Sequence, residues 1–136
     1  MNGSASPWSA QNSLQWARAA NLTIGLMLVA WGLTPAILER VMTGEPSSAA
    51  TLASGLIAFL IGTTYIGLHV LLRREIRWAA FASFALSLGL CATAFALEVL
   101  SRHQSGALFL LVLSAVVAFA NWLAIAALNP QRSASR

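Results

Sequence analysis

Residues 22–38, 49–72, 78–97 and 106–128 of this chain are almost wholly apolar, and the charged residues gather between and beside these runs. Each run is close to the ~20 apolar residues that an α-helix needs to cross the hydrocarbon core of a bilayer. The pattern predicts an all-α fold: an integral membrane, antiparallel four-helix bundle with spans at about 19–39, 50–72, 78–98 and 106–128. The connections are too short to fold by themselves, so residues 1–136 read as a single domain. Tails and loops rich in Ser, Ala, Gln and Pro read as linkers or frayed ends.

Composition agrees with a membrane class. The chain is 58% hydrophobic and 9% charged, against roughly 25% charged residues in a soluble domain. Eight arginines face four glutamates, with no lysine and no aspartate, and set a formal charge of +4 and a pI near 11.2. In a soluble chain that balance would raise nucleic acid as a partner. Here the arginines sit at helix ends, where they anchor and orient a protein in lipid, so no nucleic-acid partner is expected. The preference for Arg over Lys, with abundant Ala, points by composition alone to a bacterial source and hence to the inner (cytoplasmic) membrane.

The arginines are also lopsided. Arg18, Arg73, Arg74, Arg77, Arg132 and Arg136 fall on one side of the spans, and Arg40 and Arg102 on the other. The positive-inside rule then places both termini and the 73–77 loop in the cytoplasm. Trp16, Trp78 and Trp122 lie toward that same side, at the depth where indoles favour headgroups. The segment before the first span lacks the basic start of a secretory signal, its positive side chain being Arg18. Ser48 and Ala50 mimic a cleavage site only a dozen residues beyond the apolar run, so the first span reads as retained.

A heptad grid gives each span an inward face, because membrane helices usually cross at about 20° and keep such a seam in contact. The first seam reads Arg18, Asn21, Gly25, Leu28, Gly32, Pro35, Glu39, and the second Gly55, Ala58, Gly62, Tyr65, His69. The third reads Arg77, Ala80, Phe84, Ser87, Cys91, Ala94, Glu98, and the fourth Ala107, Leu111, Ser114, Ala118, Asn121, Ile125. Small residues let backbones approach and polar groups avoid lipid, so Gly25, Gly32, Gly55 and Gly62 predict a close-packed first hairpin. Phe59, Leu60, Ile66 and Val70 are left for lipid or a partner. Pro35 removes a helical hydrogen bond near the end of its span. The matching Arg18-to-Glu39 and Arg77-to-Glu98 separations fit two helices crossing one bilayer in one direction, with a duplicated hairpin as the alternative.

Two polar clusters emerge. Glu39, Arg40, Glu98, Arg102 and His103 are expected at the outer surface, with Glu39 against Arg102 and Glu98 against Arg40 as candidate ion pairs. Exposed pairs of this kind contribute little, and the functional alternative is a proton or cation site built on Glu98. Nearer the inner side, Tyr65 and His69 share a face one turn apart, with Asn121 at similar depth and Asn21 below. Interhelical packing is the simplest reading of this second group, and a proton relay or small-ligand pocket the alternative.

No cofactor is expected. The two histidines, His69 and His103, are predicted on opposite sides of the membrane, which argues against haem and zinc. Cys91 reads as a small packing residue, and no Ser or Cys has a base at a recognisable spacing. Arg73, Arg74 and Arg77 form a basic patch that attracts anionic headgroups. The leading expectation is a non-enzymatic accessory, scaffold or regulatory subunit of a larger assembly, partnered by the bilayer and by other membrane subunits or its own copies. A small homodimeric proton-coupled transporter using Glu98 or His69 is the second reading. A membrane-embedded lipid or quinone enzyme centred on Tyr65, His69 and Asn121 is the third.

Overall fold

A computed structural model of the chain describes residues 10–44, 48–101 and 105–128. Four helices account for nearly all of them: α1 (Ala10–Thr43), α2 (Ala49–Arg73), α3 (Arg77–Ser101) and α4 (Ser105–Ala127). All four are long and apolar enough to cross a membrane. They pack as a bundle in which α1 lies mainly on α2 and α3 mainly on α4, while α2 and α3 make the sparsest contact of the four neighbouring pairs.

Local chemistry sets the helix ends. Ser48 caps α2 by accepting from the Thr51 N–H at 3.1 Å, satisfying one donor that the first turn leaves open. At the other end of α2, the Ile76 N–H reaches back to the Leu71 carbonyl and the Glu75 N–H to the Leu72 carbonyl. This closed C-terminal motif needs a left-handed residue, which is usually Gly. Glu75 fills it at φ 57°, so the 73–77 loop carries a local conformational cost. Gly44, at φ 71°, does the same job after α1 without that cost.

Helix α1 is longer than a span requires. Its 34 residues cover roughly 50 Å at 1.5 Å per residue, against a hydrocarbon core of ~30 Å. Residues 10–18 are therefore helix, not the frayed tail that their polarity predicted. The cause is a buried stripe: Ser13, Leu14, Ala17 and Asn21 follow each other at helical spacing, while Gln11, Asn12 and Gln15 stay exposed. Leu14 and Ala17 join Leu68, Leu72, Ala79, Ala80 and Ala124 in one apolar cluster. A second cluster, Ile24, Leu28, Tyr65 and Val117, lies farther along the bundle.

Backbone meets backbone between α1 and α2. A methyl group on Gly25 would lie 3.0 Å from the Gly62 carbonyl oxygen, and one on Gly62 would lie 2.7 Å from that of Gly25. One on Gly32 would lie 2.5 Å from the Gly55 oxygen, and one on Gly55 would strike the Gly32 carbonyl in turn. Small residues permit this approach where apolar lipid supplies no hydrophobic drive for helix association. Phe59 and Ile66, expected to face outward, instead flank these glycines and are half-buried. Both touch α1 itself, at Gly32 and Gly25, because the close approach of the two backbones also buries side chains beside the glycine stripe. Arg77, placed inward by the same grid, is exposed at the start of α3.

Large apolar side chains cover the outside. Trp16, Trp31, Ile37, Leu60, Trp78, Phe95, Val116 and Phe119 are all more than half exposed. Soluble monomers rarely expose contiguous apolar patches beyond a few hundred Å². The surface is that of a protein solvated by lipid.

Candidate functional site

The buried Asn21, Ser83, Ser87 and Asn121 converge on one region, toward the end where α1 begins. Asn21 on α1 and Asn121 on α4 pair through their side-chain amides, each Nδ2 donating to the other's Oδ1 at 3.1 and 3.0 Å. Ser83 of α3 donates to the same Asn21 Oδ1 at 2.6 Å, so both acceptor positions of that oxygen are used. The second hydrogen of the Asn121 amide goes to the Val117 carbonyl at 2.8 Å. All three side chains are fully buried.

Helix α2 enters the lattice through Tyr65. Its hydroxyl lies 2.8 Å from Ser87 Oγ, which donates its own hydrogen to the Ser83 carbonyl at 2.8 Å. Tyr65 is therefore the donor in that bond. Hydrogen bonds thus run from Tyr65 through Ser87 and Ser83 to Asn21 and Asn121, touching all four helices. The hydroxyl hydrogens of Tyr65, Ser87 and Ser83 are all committed.

His69 sits apart from this lattice. Its Nδ1 is 2.8 Å from the Arg18 carbonyl, and since a carbonyl only accepts, Nδ1 carries the hydrogen. The Arg18 side chain returns the contact: Nε donates to the Leu72 carbonyl at 3.1 Å, and the guanidinium lies 3.8 Å from Glu75. A cation at the carbonyl end of α2 is electrostatically favourable there. Arg18 thereby clasps α1 to the last turn of α2 and to the loop beyond it.

The sequence-predicted Asn21, Tyr65, His69 and Asn121 thus resolve into two arrangements. Asn21, Asn121 and Tyr65 belong to the four-helix lattice, whereas His69 belongs to the Arg18 clasp. Ser83 was missed by the heptad grid, although its i to i+4 spacing with Ser87 puts the two on one face. Glu75 was also missed as the partner of Arg18. Elsewhere, Cys91 Sγ lies 3.0 Å from Ser114 Oγ, which donates to the Leu110 carbonyl at 2.7 Å. This is an α3–α4 contact between small, partly buried groups.

At the other end of the bundle the residues behave differently. Glu39 and Glu98 each have one buried carboxylate oxygen, Oε2, with no hydrogen-bond partner among the described residues. Arg40 is exposed, and the candidate Glu98–Arg40 ion pair is not formed. Arg102 and His103 lie outside the described residues, as do Arg132 and Arg136. Among the described residues, no group of three or more His, Cys, Asp or Glu side chains stands together as a metal site would require.

The fold and its lipid-facing surface define the class: a multi-pass α-helical membrane protein. Comparison with protein-family models, with curated proteins and with solved structures finds no match to this chain.

Proposed function

We propose that the chain is a non-enzymatic accessory, scaffold or regulatory subunit of a larger membrane assembly. In this reading it is an antiparallel four-helix bundle of a bacterial inner membrane, with both termini in the cytoplasm. One apolar cluster gathers the beginnings of α1 and α3 with the ends of α2 and α4, which supports the up-and-down order. The excess of arginines beside that cluster supports the orientation. The observation that carries the functional reading is the state of the buried polar groups: Tyr65, Ser87, Ser83, Asn21 and Asn121 spend their hydrogen bonds on each other. Groups so committed join helices and have little left for a substrate.

Affinity purification from native membranes in mild detergent, followed by mass spectrometry, tests this. Stoichiometric membrane partners are expected, and a chain that elutes only with its own copies would count against the subunit role. A second reading, proton-coupled transport by a homodimer, draws on the unpartnered Glu39 and Glu98 oxygens. His69 is less suited to it, because its Nδ1 is occupied by a backbone carbonyl. Proton-coupled flux in proteoliposomes that is lost in Glu98→Gln would favour transport, and flux that survives Glu98→Gln and His69→Ala together would remove both coupling sites.

A further inference from the structure

Among the four neighbouring helix pairs, α2 and α3 make the sparsest contact, and between them lies an apolar groove of about 420 Å³ whose lining includes Thr64, Gly67, Leu68, Leu71, Trp78 and Ala82. It falls within the ~300–1,000 Å³ range of ordinary ligand pockets. Along α2 it runs from Thr64 to Leu71, about 10 Å of helix rise. Gly67 forms its floor, and a methyl group added there would meet no atom within 4 Å. This glycine differs from the four at the α1 contact, each of which is required by a facing backbone. Thr64, the polar member of the wall, donates its hydroxyl to the Leu60 carbonyl at 2.8 Å.

Charge collects at one mouth of the groove. Leu71 and Trp78 lie at that mouth, and between them in sequence come Arg73, Arg74 and Arg77, all exposed. The loop's one acid, Glu75, is opposite Arg18, so its charge is answered from α1. The first turn of α3 contains no acidic residue, and its open N–H groups add to the positive field. Trp78 is exposed at the depth where an indole favours headgroups.

We propose that the groove is a binding site for one anionic phospholipid, whose phosphate sits against Arg74 and Arg77 and whose acyl chain lies along Gly67 between α2 and α3. Three arginines beside a single acid, Glu75, which faces Arg18, complement a phosphate, and the wall below them complements a hydrocarbon chain. A transmembrane helix from a partner would fill the same wall but would have to bring its own carboxylate to the mouth. The ordinary attraction of a basic loop for anionic lipid does not require a groove, and that difference makes the site testable.

The test uses the full chain in mixed micelles containing equal phosphatidylglycerol and phosphatidylcholine of matched acyl chains, with retained lipid counted by native mass spectrometry. The expected result is one phosphatidylglycerol per chain, held about tenfold over phosphatidylcholine, given the contribution of each basic residue near a charged headgroup. The double variant Arg74→Gln with Arg77→Gln should abolish that preference. Gly67→Leu should lower retention of both lipids about tenfold by filling the floor, and Ala82→Leu should do the same from the α3 wall. Gly89→Leu, which also enters open space, should change nothing. Helicity and melting are recorded for every variant, and Ala82→Leu decides the matter if Gly67→Leu does not fold. Equal retention of the two lipids by the wild-type chain would overturn the proposal. So would undiminished phosphatidylglycerol binding in the folded groove variants, or a polypeptide, in place of lipid, crosslinked at Gly67→Cys in membranes.

Discussion

The two ends of the bundle are joined in different ways. Where α1 begins, side chains from all four helices hydrogen-bond to one another, through Asn21, Tyr65, Ser83, Ser87 and Asn121. Farther along, α1 and α2 meet by bare backbone at Gly25, Gly32, Gly55 and Gly62. Glu39 and Glu98, beyond, each keep one buried oxygen with no hydrogen-bond partner among the described residues. Glycine contact joins two helices and gives shape, whereas the polar lattice joins four and gives register. The α1–α2 pair is therefore locked by packing, and the lattice attaches the α3–α4 pair to it.

The largest effect is expected from breaking the backbone contact. Gly32→Leu drives a side chain into the Gly55 carbonyl and Phe59, and should cost about 3 kcal/mol or prevent folding, read from denaturation in mixed micelles. Gly89→Leu, which enters open space on α3, is the control and should leave stability unchanged.

Arg18→Met removes the cation from the end of α2 and should cost about 1 kcal/mol. Because Arg18 is a quarter exposed and Glu75 two-thirds exposed, the 3.8 Å ion pair itself contributes little. Glu75→Gly should therefore be neutral or stabilising, since it relieves the left-handed residue at a small electrostatic loss. Thermal melts of both variants in one detergent check the pair.

Smaller still, Tyr65→Phe removes one donor from the lattice and should cost about 0.6 kcal/mol. Glu98→Gln should change stability least or raise it slightly, because a carboxylate oxygen without a partner gains nothing from its charge. A clear loss of stability in Glu98→Gln would show that the far end of the bundle holds a charge partner, and would erase the contrast between the two ends.

Much of this architecture was readable from residue order. Apolar runs of the right length marked four helices, and the seven-residue glycine spacing marked a stripe on α1 and on α2. That Gly32 meets Gly55, and Gly25 meets Gly62, depends on register between helices, which a single chain's pattern does not carry. The first two turns of α1 were hidden because Gln11, Asn12 and Gln15 dominate their hydropathy, although the Leu14–Ala17–Asn21 stripe is what packs. Ser83 escaped because a strict 3.5-residue grid steps from Ala80 to Phe84, while a real helix drifts and presents Ser83 with Ser87. Proximity in depth suggested that His69 belonged with Tyr65 and Asn121. Its partner proved to be the backbone of Arg18, a kind of contact that side-chain patterns cannot show.

The central claim, that the buried polar lattice holds the α1–α2 and α3–α4 pairs together, is tested most directly by a double-mutant cycle on Asn21 and Asn121. Unfolding free energies of Asn21→Leu, Asn121→Leu and the double variant, measured in the same lipid–detergent mixture, give the coupling. Each single change should cost roughly 1–2 kcal/mol by leaving its partner amide unpaired. The double variant should cost less than their sum by about 1 kcal/mol. Strictly additive losses, or single variants as stable as the wild-type chain, would contradict the lattice as the element that joins the two helix pairs.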